Sequence, residues 1–283
     1  MTRILVTGAT GTVGGPLVDR LLERTPTVRS ASRRPERARD RFDDRGEYVA
    51  FDLERPETWT AALDDVDRVF LVLPPGTGAA PIRQFVDHAG ERDVSHVVFL
   101  SILGAESLPV IPHRRIEGHL AESDLAATFL RASYFMQNLS GIHLPEIRDD
   151  DAIYIPAGGG EISFVDAVDV AAVAGTVLTE DDPRTGPIDV TGPAALDLTA
   201  VAETFSAVLD RRIEYADPSL LRFGARMLRR GVDPGLVGFM AIEYTAIRFG
   251  LAARTADGVE EMLGRSPRSM ADFVRANEAT FQP

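Results

Sequence analysis

Arg3-Ile4-Leu5-Val6-Thr7-Gly8-Ala9-Thr10-Gly11-Thr12-Val13-Gly14 opens the chain and decides how its first half folds. An apolar strand-like run enters G-x-x-G-x-x-G and then a helical stretch over 13–24. Gly8 lets the chain leave the strand in a tight turn. Gly11, without a Cβ, lets the backbone approach a phosphate, and Gly14 lets the helix lie close on the strand. Such a helix aims free N–H groups and a positive dipole end at an anion. A second strand over 27–32 closes a βαβ unit of about 30 residues, the context in which this pattern binds a dinucleotide pyrophosphate. Gly8, Thr10, Gly11, Thr12, Val13 and Gly14 are therefore the first candidate binding residues.

The pattern continues beyond this unit. Further strands are predicted over 47–51, 67–73, 95–101 and 126–131, with helices over 35–42, 56–63, 79–92 and 112–123. The strands are rich in Val, Ile, Leu and Phe, as expected when both faces are covered. Pro35, Pro56 and Pro81 stand near helix starts, where a missing N–H costs little. Strand–helix alternation of this kind argues an α/β Rossmann fold, a doubly wound parallel sheet. After about residue 155 the pattern changes: a glycine loop over 157–160, a helix over Val165–Leu178 whose start carries Asp166 and Asp169, and a short strand at Ile188-Asp189-Val190. A helix over Leu198–Leu209, a strand at Ile213-Glu214-Tyr215 and helices from Pro218 onward follow. The expected organisation is a dinucleotide-binding domain over 1–155 and a smaller α/β substrate lobe over 156–283, with some elements shared.

Composition excludes several chemistries. The 283 residues carry 30 basic side chains, all of them Arg, against 43 acidic ones, for a formal charge of −13. There is no Lys, so Schiff-base chemistry is ruled out; there is no Cys, so disulfides and thiolate catalysis are too. Net negative charge repels nucleic-acid phosphate. No run of 18 apolar residues is present, and the first strand begins almost at once, so neither a membrane span nor a signal peptide is expected and the anticipated location is cytoplasmic. The acidic, lysine-free balance suits a high-salt cytoplasm, with a GC-rich genome that favours Arg codons as the alternative; monomer and homodimer both remain open. The histidines lack metal-ligand spacing, and no metal is expected.

The end of the second strand separates NAD from NADP. An acid there would bind ribose hydroxyls, whereas an arginine accommodates a 2′-phosphate. The chain reads Ser30-Ala31-Ser32-Arg33-Arg34-Pro35, which favours NADP(H) over NAD(H), with Ser32 and Arg33 at the contact. Asp52-Leu53 ends the third strand, where the acid would accept from the adenine amino group or cap the next helix. Leu73-Pro74 and Ser101 end the fourth and fifth strands at the edge where such folds bind ligands.

Taken together, the glycine motif, the Arg33 strand end, Asp52-Leu53, His113-x-x-x-Glu117 and Leu130-Arg131-Ala132-Ser133-Tyr134-Phe135-Met136-Gln137-Asn138 resemble the NmrA-like family of atypical short-chain dehydrogenases/reductases. Gly264-Arg265-Ser266-Pro267-Arg268 before Phe273 agrees with this, and the likeness covers nearly the whole chain. The resemblance implies NAD(P)H binding, with quinone reductases, azo- and triphenylmethane-dye reductases and non-catalytic redox-sensing regulators among the members. It places Tyr134, Phe135 and Asn138 near the nicotinamide and a small aromatic or quinone-like acceptor. Where ordinary members carry Tyr-x-x-x-Lys, this chain reads His113-Arg114-Arg115-Ile116-Glu117. His113 would donate a proton, Glu117 one turn later would orient it, and Ser101 would hydrogen-bond the substrate. The alternative reading is a regulator that senses NAD(P) without turnover.

Overall fold

Parallel pairing holds the first half of the chain together. The computed structural model describes residues 2–24, 27–43 and 45–283. Strands β1 (Ile4–Thr7), β2 (Val28–Ser32), β3 (Glu47–Ala50), β4 (Arg68–Val72), β5 (His96–Ile102), β6 (Ala126–Ala132) and β7 (Gly186–Val190) form one sheet of order 7-6-5-4-1-2-3. Every pair in it is parallel. The order reverses between β1 and β4, which is where an open α/β sheet leaves a crevice at its carboxyl edge. Thr7 clips these two strands together from within: its Oγ1 donates to the Phe70 carbonyl at 3.0 Å and accepts from the Val72 amide at 3.1 Å.

Helices α1 (Gly14–Leu22), α2 (Pro35–Phe42), α3 (Trp59–Leu63), α4 (Ala79–Gly90), α5 (Pro112–Glu122) and α6 (Ala167–Thr179) accompany this sheet. On α1 the residues Leu17, Val18 and Leu21 are fully buried, each contributing about 2 kcal/mol of transfer free energy. One core of this half gathers Leu5, Trp59, Leu71, Phe85, Phe99 and Ile116.

The chain divides into two compact units that interleave in sequence. The first comprises Met1–Ala132, Ala167–Val190 and Gly258–Arg265; the second comprises Ser133–Asp166, Thr191–Asp257 and Ser266–Pro283. A single cut at 155 does not describe this partition, because α6 and β7 return to the first unit. The second unit has its own core, with Phe164, Phe205, Phe223, Tyr244, Phe273 and Phe281 all buried. Its main helices are Leu198–Leu209, Leu220–Arg229, Pro234–Arg248 and Met270–Ala276.

Three element boundaries differ from expectation. Val165 ends a strand, Ile162–Val165, rather than starting a helix, because all four residues of that stretch are buried and α6 begins only at Ala167. The 56–63 segment is a 3₁₀ turn, Pro56–Thr58, followed by a short α-helix. Ile188-Asp189-Val190 is the outer part of β7, paired with β6, rather than part of a separate lobe. Among the described residues no helix is long and apolar enough to cross a membrane.

The tail motif has an electrostatic purpose. Asp169 is fully buried and its Oδ1 meets the Arg265 guanidinium at 2.6 Å within the first unit. Asp166, also buried, meets Arg268 at 2.7 Å and accepts from Gln137 Nε2 at 2.7 Å within the second. Removing one partner of such a pair strands a buried charge. Arg265→Met should therefore lower the unfolding free energy by roughly 2–3 kcal/mol in a urea titration. A loss below about 0.5 kcal/mol would show that Asp169 does not rely on it.

Candidate active site

The β1–α1 turn is shaped by what it lacks. Gly8 adopts φ +60°, a conformation that side chains disfavour, and a Cβ on it would stand 2.9 Å from Val72 Cγ2. A Cβ on Gly14 would stand 2.2 Å from the Gly8 carbonyl oxygen, closer than any atom pair tolerates. The Gly11 amide donates to the Gly8 carbonyl at 2.8 Å and the Gly15 amide to the Gly11 carbonyl at 2.9 Å, which closes the turn. Thr10, Gly11 and Thr12 are exposed at its rim. Helix α1 starts after Val13 with no side chain capping it, so its leading N–H groups are open to an anion. The cradle fits a dinucleotide diphosphate in shape and polarity.

The neighbouring strand ends face the same edge. Ser32 accepts from the Arg34 amide at 3.0 Å, which turns the chain after β2. Arg33 and Arg34 are exposed, and among the described residues neither guanidinium has an ion-pair partner. Asp52 is half-buried and one of its oxygens accepts from the Glu54 amide at 3.0 Å. Its backbone is pinned by Thr58 Oγ1 and by Trp59 Nε1, which donates to its carbonyl at 3.0 Å. Asp52 thus shapes a local turn and does not cap the following 3₁₀ turn, which has no side-chain cap hydrogen bond. Leu53 is buried; Leu73 and Pro74 continue from β4 and are half-buried.

The expected His113–Glu117 pair is not formed. Glu117 is buried, with its carboxylate already saturated: Ser101 Oγ donates to Oε1 at 2.6 Å, and Arg131 donates through Nε at 3.0 Å and through Nη2 at 2.7 Å. Arg131 also meets Glu106 at 3.0 Å. Ser101, expected to face substrate, instead spends its proton on Glu117. His113 turns its ring toward Phe99, with centroids 6.0 Å apart. Burial lowers its pKa below the ordinary imidazole range, although Glu117 pulls the other way. A fork-shaped guanidinium on a strand two residues from the Tyr134 segment outcompetes an imidazole for the acid. Arg131 was within the recognised motif, but nothing local in the sequence signals its pairing.

Tyr134, Phe135 and Asn138 belong to the second unit. Tyr134–Phe135 is a two-residue strand paired in parallel with Phe164 and Val165. The Tyr134 ring packs edge-on against Phe164 at 5.5 Å. Its hydroxyl lies 3.1 Å from that of Tyr244, which is 2.7 Å from His143 Nε2. Burial raises both phenols above their ordinary range and lowers His143 to about 3, so this chain is neutral near pH 7. Asn138 ends the following 3₁₀ turn, its carbonyl accepting from the His143 amide at 3.1 Å. Tyr244 and His143 escaped sequence reading because they lie far from the motif in the chain.

A parallel sheet that reverses order beside a glycine cradle defines a Rossmann fold of the dinucleotide-binding kind. Residues 8–181 match the NAD(P)H-binding family, and the chain belongs to it. It is 33% identical over 284 residues to the NAD(P)H azoreductase of Xenophilus azovorans, covering 98% of this chain and 99% of that protein. The triphenylmethane reductase of Citrobacter sp., solved with NADP(H), superposes with a TM-score of 0.86 at 24% identity over 97% of this chain and 99% of that one. The NADPH-dependent quinone oxidoreductase of Escherichia coli, solved with NADPH, gives 0.85 at 23% identity over 96% and 99%. The likeness to the two solved structures is one of fold.

Gly14→Ala tests the cradle. The added methyl must push α1 away from Gly8, so NAD(P)H affinity should fall at least about 100-fold by fluorescence titration. Affinity within about threefold of the unaltered protein would mean that the turn does not hold the diphosphate.

Proposed function

We propose that the chain is an NADPH-preferring reductase that passes hydride to a small aromatic acceptor, quinone-like or dye-like. The observation that carries this reading is the open cradle Gly8–Gly14 followed one strand away by the exposed guanidiniums of Arg33 and Arg34, unpaired among the described residues. In this reading Thr10, Gly11, Thr12 and the N-terminus of α1 hold the diphosphate. Ser32 and Arg33 hold the 2′-phosphate, Asp52 and Leu53 border the adenine, and Leu73 and Pro74 lie under the ribose side. When bound, the dihydronicotinamide supplies a hydride; the protein's task is to orient the acceptor and exclude water. In this reading Tyr134, Phe135 and Asn138 are the acceptor's contacts. The rings offer flat apolar surface and the amide offers a hydrogen bond.

Quinones and azo compounds accept hydride more readily than an ordinary ketone, which suits a chain without the Tyr–Lys pair. The Ser101–Glu117–Arg131 network serves here as a brace between β5, β6 and α5 rather than as a proton path. His113, neutral and set against Phe99, stays beside that brace.

Two measurements test the reading. Purified protein should bind NADPH more tightly than NADH, and Arg33→Ala should weaken NADPH about tenfold while leaving NADH unchanged. Equal affinities in the unaltered protein would remove the arginine argument. Across benzoquinones, azo dyes and triarylmethyl dyes, NADPH absorbance should fall with at least one acceptor class; intact cofactor binding with no turnover anywhere would exclude the reductase reading.

A further inference from the structure

Among the described residues, eight of the eleven exposed large apolar side chains fall within 220–251, in the second unit. They lie on the helices Leu220–Arg229 and Pro234–Arg248 and just past the end of the latter. The helix Pro234–Arg248 is apolar on two sides. Val237, Met240, Tyr244 and Ile247 enter the core. On the other side Phe239, Ile242 and Phe249 are 59–75% exposed. Phe249 prolongs the last turn by donating its amide to the Thr245 and Ala246 carbonyls, and Gly250, at φ +79°, stops the helix. A helix that is apolar all round is normally covered all round, and one chain covers half of this one.

Gly235, Phe239, Ile242, Ala246 and Phe249 follow one another at spacings of four, three, four and three, the seam of a helix pair. The charges on the helix stand off this seam: Arg248 is held by Asp217 at 2.7 Å, and Glu243 lies a quarter-turn to one side. Run antiparallel against a copy of itself, with a two-fold axis at Ile242, the seam is self-complementary in size. Gly235 and Phe249 each lie seven residues from Ile242, so the ring of one copy meets the glycine of the other, twice. Phe239 meets Thr245 in the same way, three residues from the axis. The Thr245 hydroxyl is spent on the Ala241 carbonyl at 2.6 Å and brings no unpaired polar group. Gly238 meets Ala246, four residues from the axis. A Cβ on Gly238 would touch nothing within 4 Å, so packing inside the chain does not call for a glycine there. Large against small is how facing helices fill space, whereas a lipid surface asks for apolar residues in no order of size.

The area is sufficient. The eight side chains, 41–87% exposed, together present on the order of 900 Å². A stable interface takes about 800 Å² from each partner, and a monomer seldom shows an apolar patch above about 600 Å².

We propose that this face is a two-fold interface between two copies of the chain, centred on Ile242, with the helices Pro234–Arg248 antiparallel. It stands apart from the cofactor and acceptor readings above.

Sedimentation of the full-length chain at about 10 μM should give twice 30.7 kDa. Ile242→Arg sets two like charges on the axis and should weaken association at least about 100-fold with an unchanged circular dichroism spectrum. Each copy carries −13, so association should strengthen from low to high salt. Attachment to anionic lipid through the exposed Arg222 and Arg229 would weaken instead. The chain has no cysteine, so an introduced one reports contact cleanly. Ile242→Cys should oxidise to a disulfide-linked dimer, because the axis sets that position against itself. Val110→Cys, just as exposed but off this face, should not. This comparison decides the matter even where Ile242→Arg fails to fold. A 30.7 kDa species at every concentration, dimers undisturbed by Ile242→Arg, or Val110→Cys cross-linking as fast as Ile242→Cys would each overturn the proposal. So would flotation on phosphatidylserine vesicles of a chain that does not self-associate, which would assign the face to a membrane.

Discussion

The 2.2 Å between the Gly8 carbonyl oxygen and the place where a Gly14 Cβ would stand is the constraint from which the rest follows. Because no side chain occupies it, α1 can start directly over the end of β1. Its uncapped N–H groups then point into the turn rather than into a neighbouring side chain. The same closeness lets Leu17, Val18 and Leu21 reach the sheet, so one missing methyl serves packing and anion binding alike. Thr7 adds the second half of the arrangement. By bonding both Phe70 and Val72 it fixes β1 against β4, the pair between which the strand order reverses.

A second organising feature is the use of arginine alone as the buried cation. Glu117 holds Ser101 and Arg131, Glu146 holds Arg226 and Arg230, and Asp169 holds Arg265. A forked guanidinium can saturate both carboxylate oxygens, which lowers the cost of burying the pair. Among the described residues Glu243 has no such partner, and burial raises its pKa to about 7.

Local patterns were legible in the sequence. Gly8, Gly11 and Gly14 declare themselves by spacing, the buried parallel strands by continuous apolar runs, and Arg33 by its place at a strand end. Tertiary pairings were not. Glu117 and His113 are one helical turn apart and invited pairing, yet Arg131, on a different strand, has the better geometry for both oxygens. Asp169 and Arg265 are 96 residues apart, and neither residue alone announces the other. Val165, the last residue of the strand Ile162–Val165, reads as a helix start because one apolar residue at an element boundary carries no period of its own.

Quinones and related electrophiles damage proteins by adding to thiolates and free amines. This chain has no cysteine and no lysine, and two of its five histidines, His96 and His143, are sealed inside the fold. Their imidazoles lie beyond the reach of a diffusing electrophile. A chain of this composition offers such electrophiles few nucleophiles.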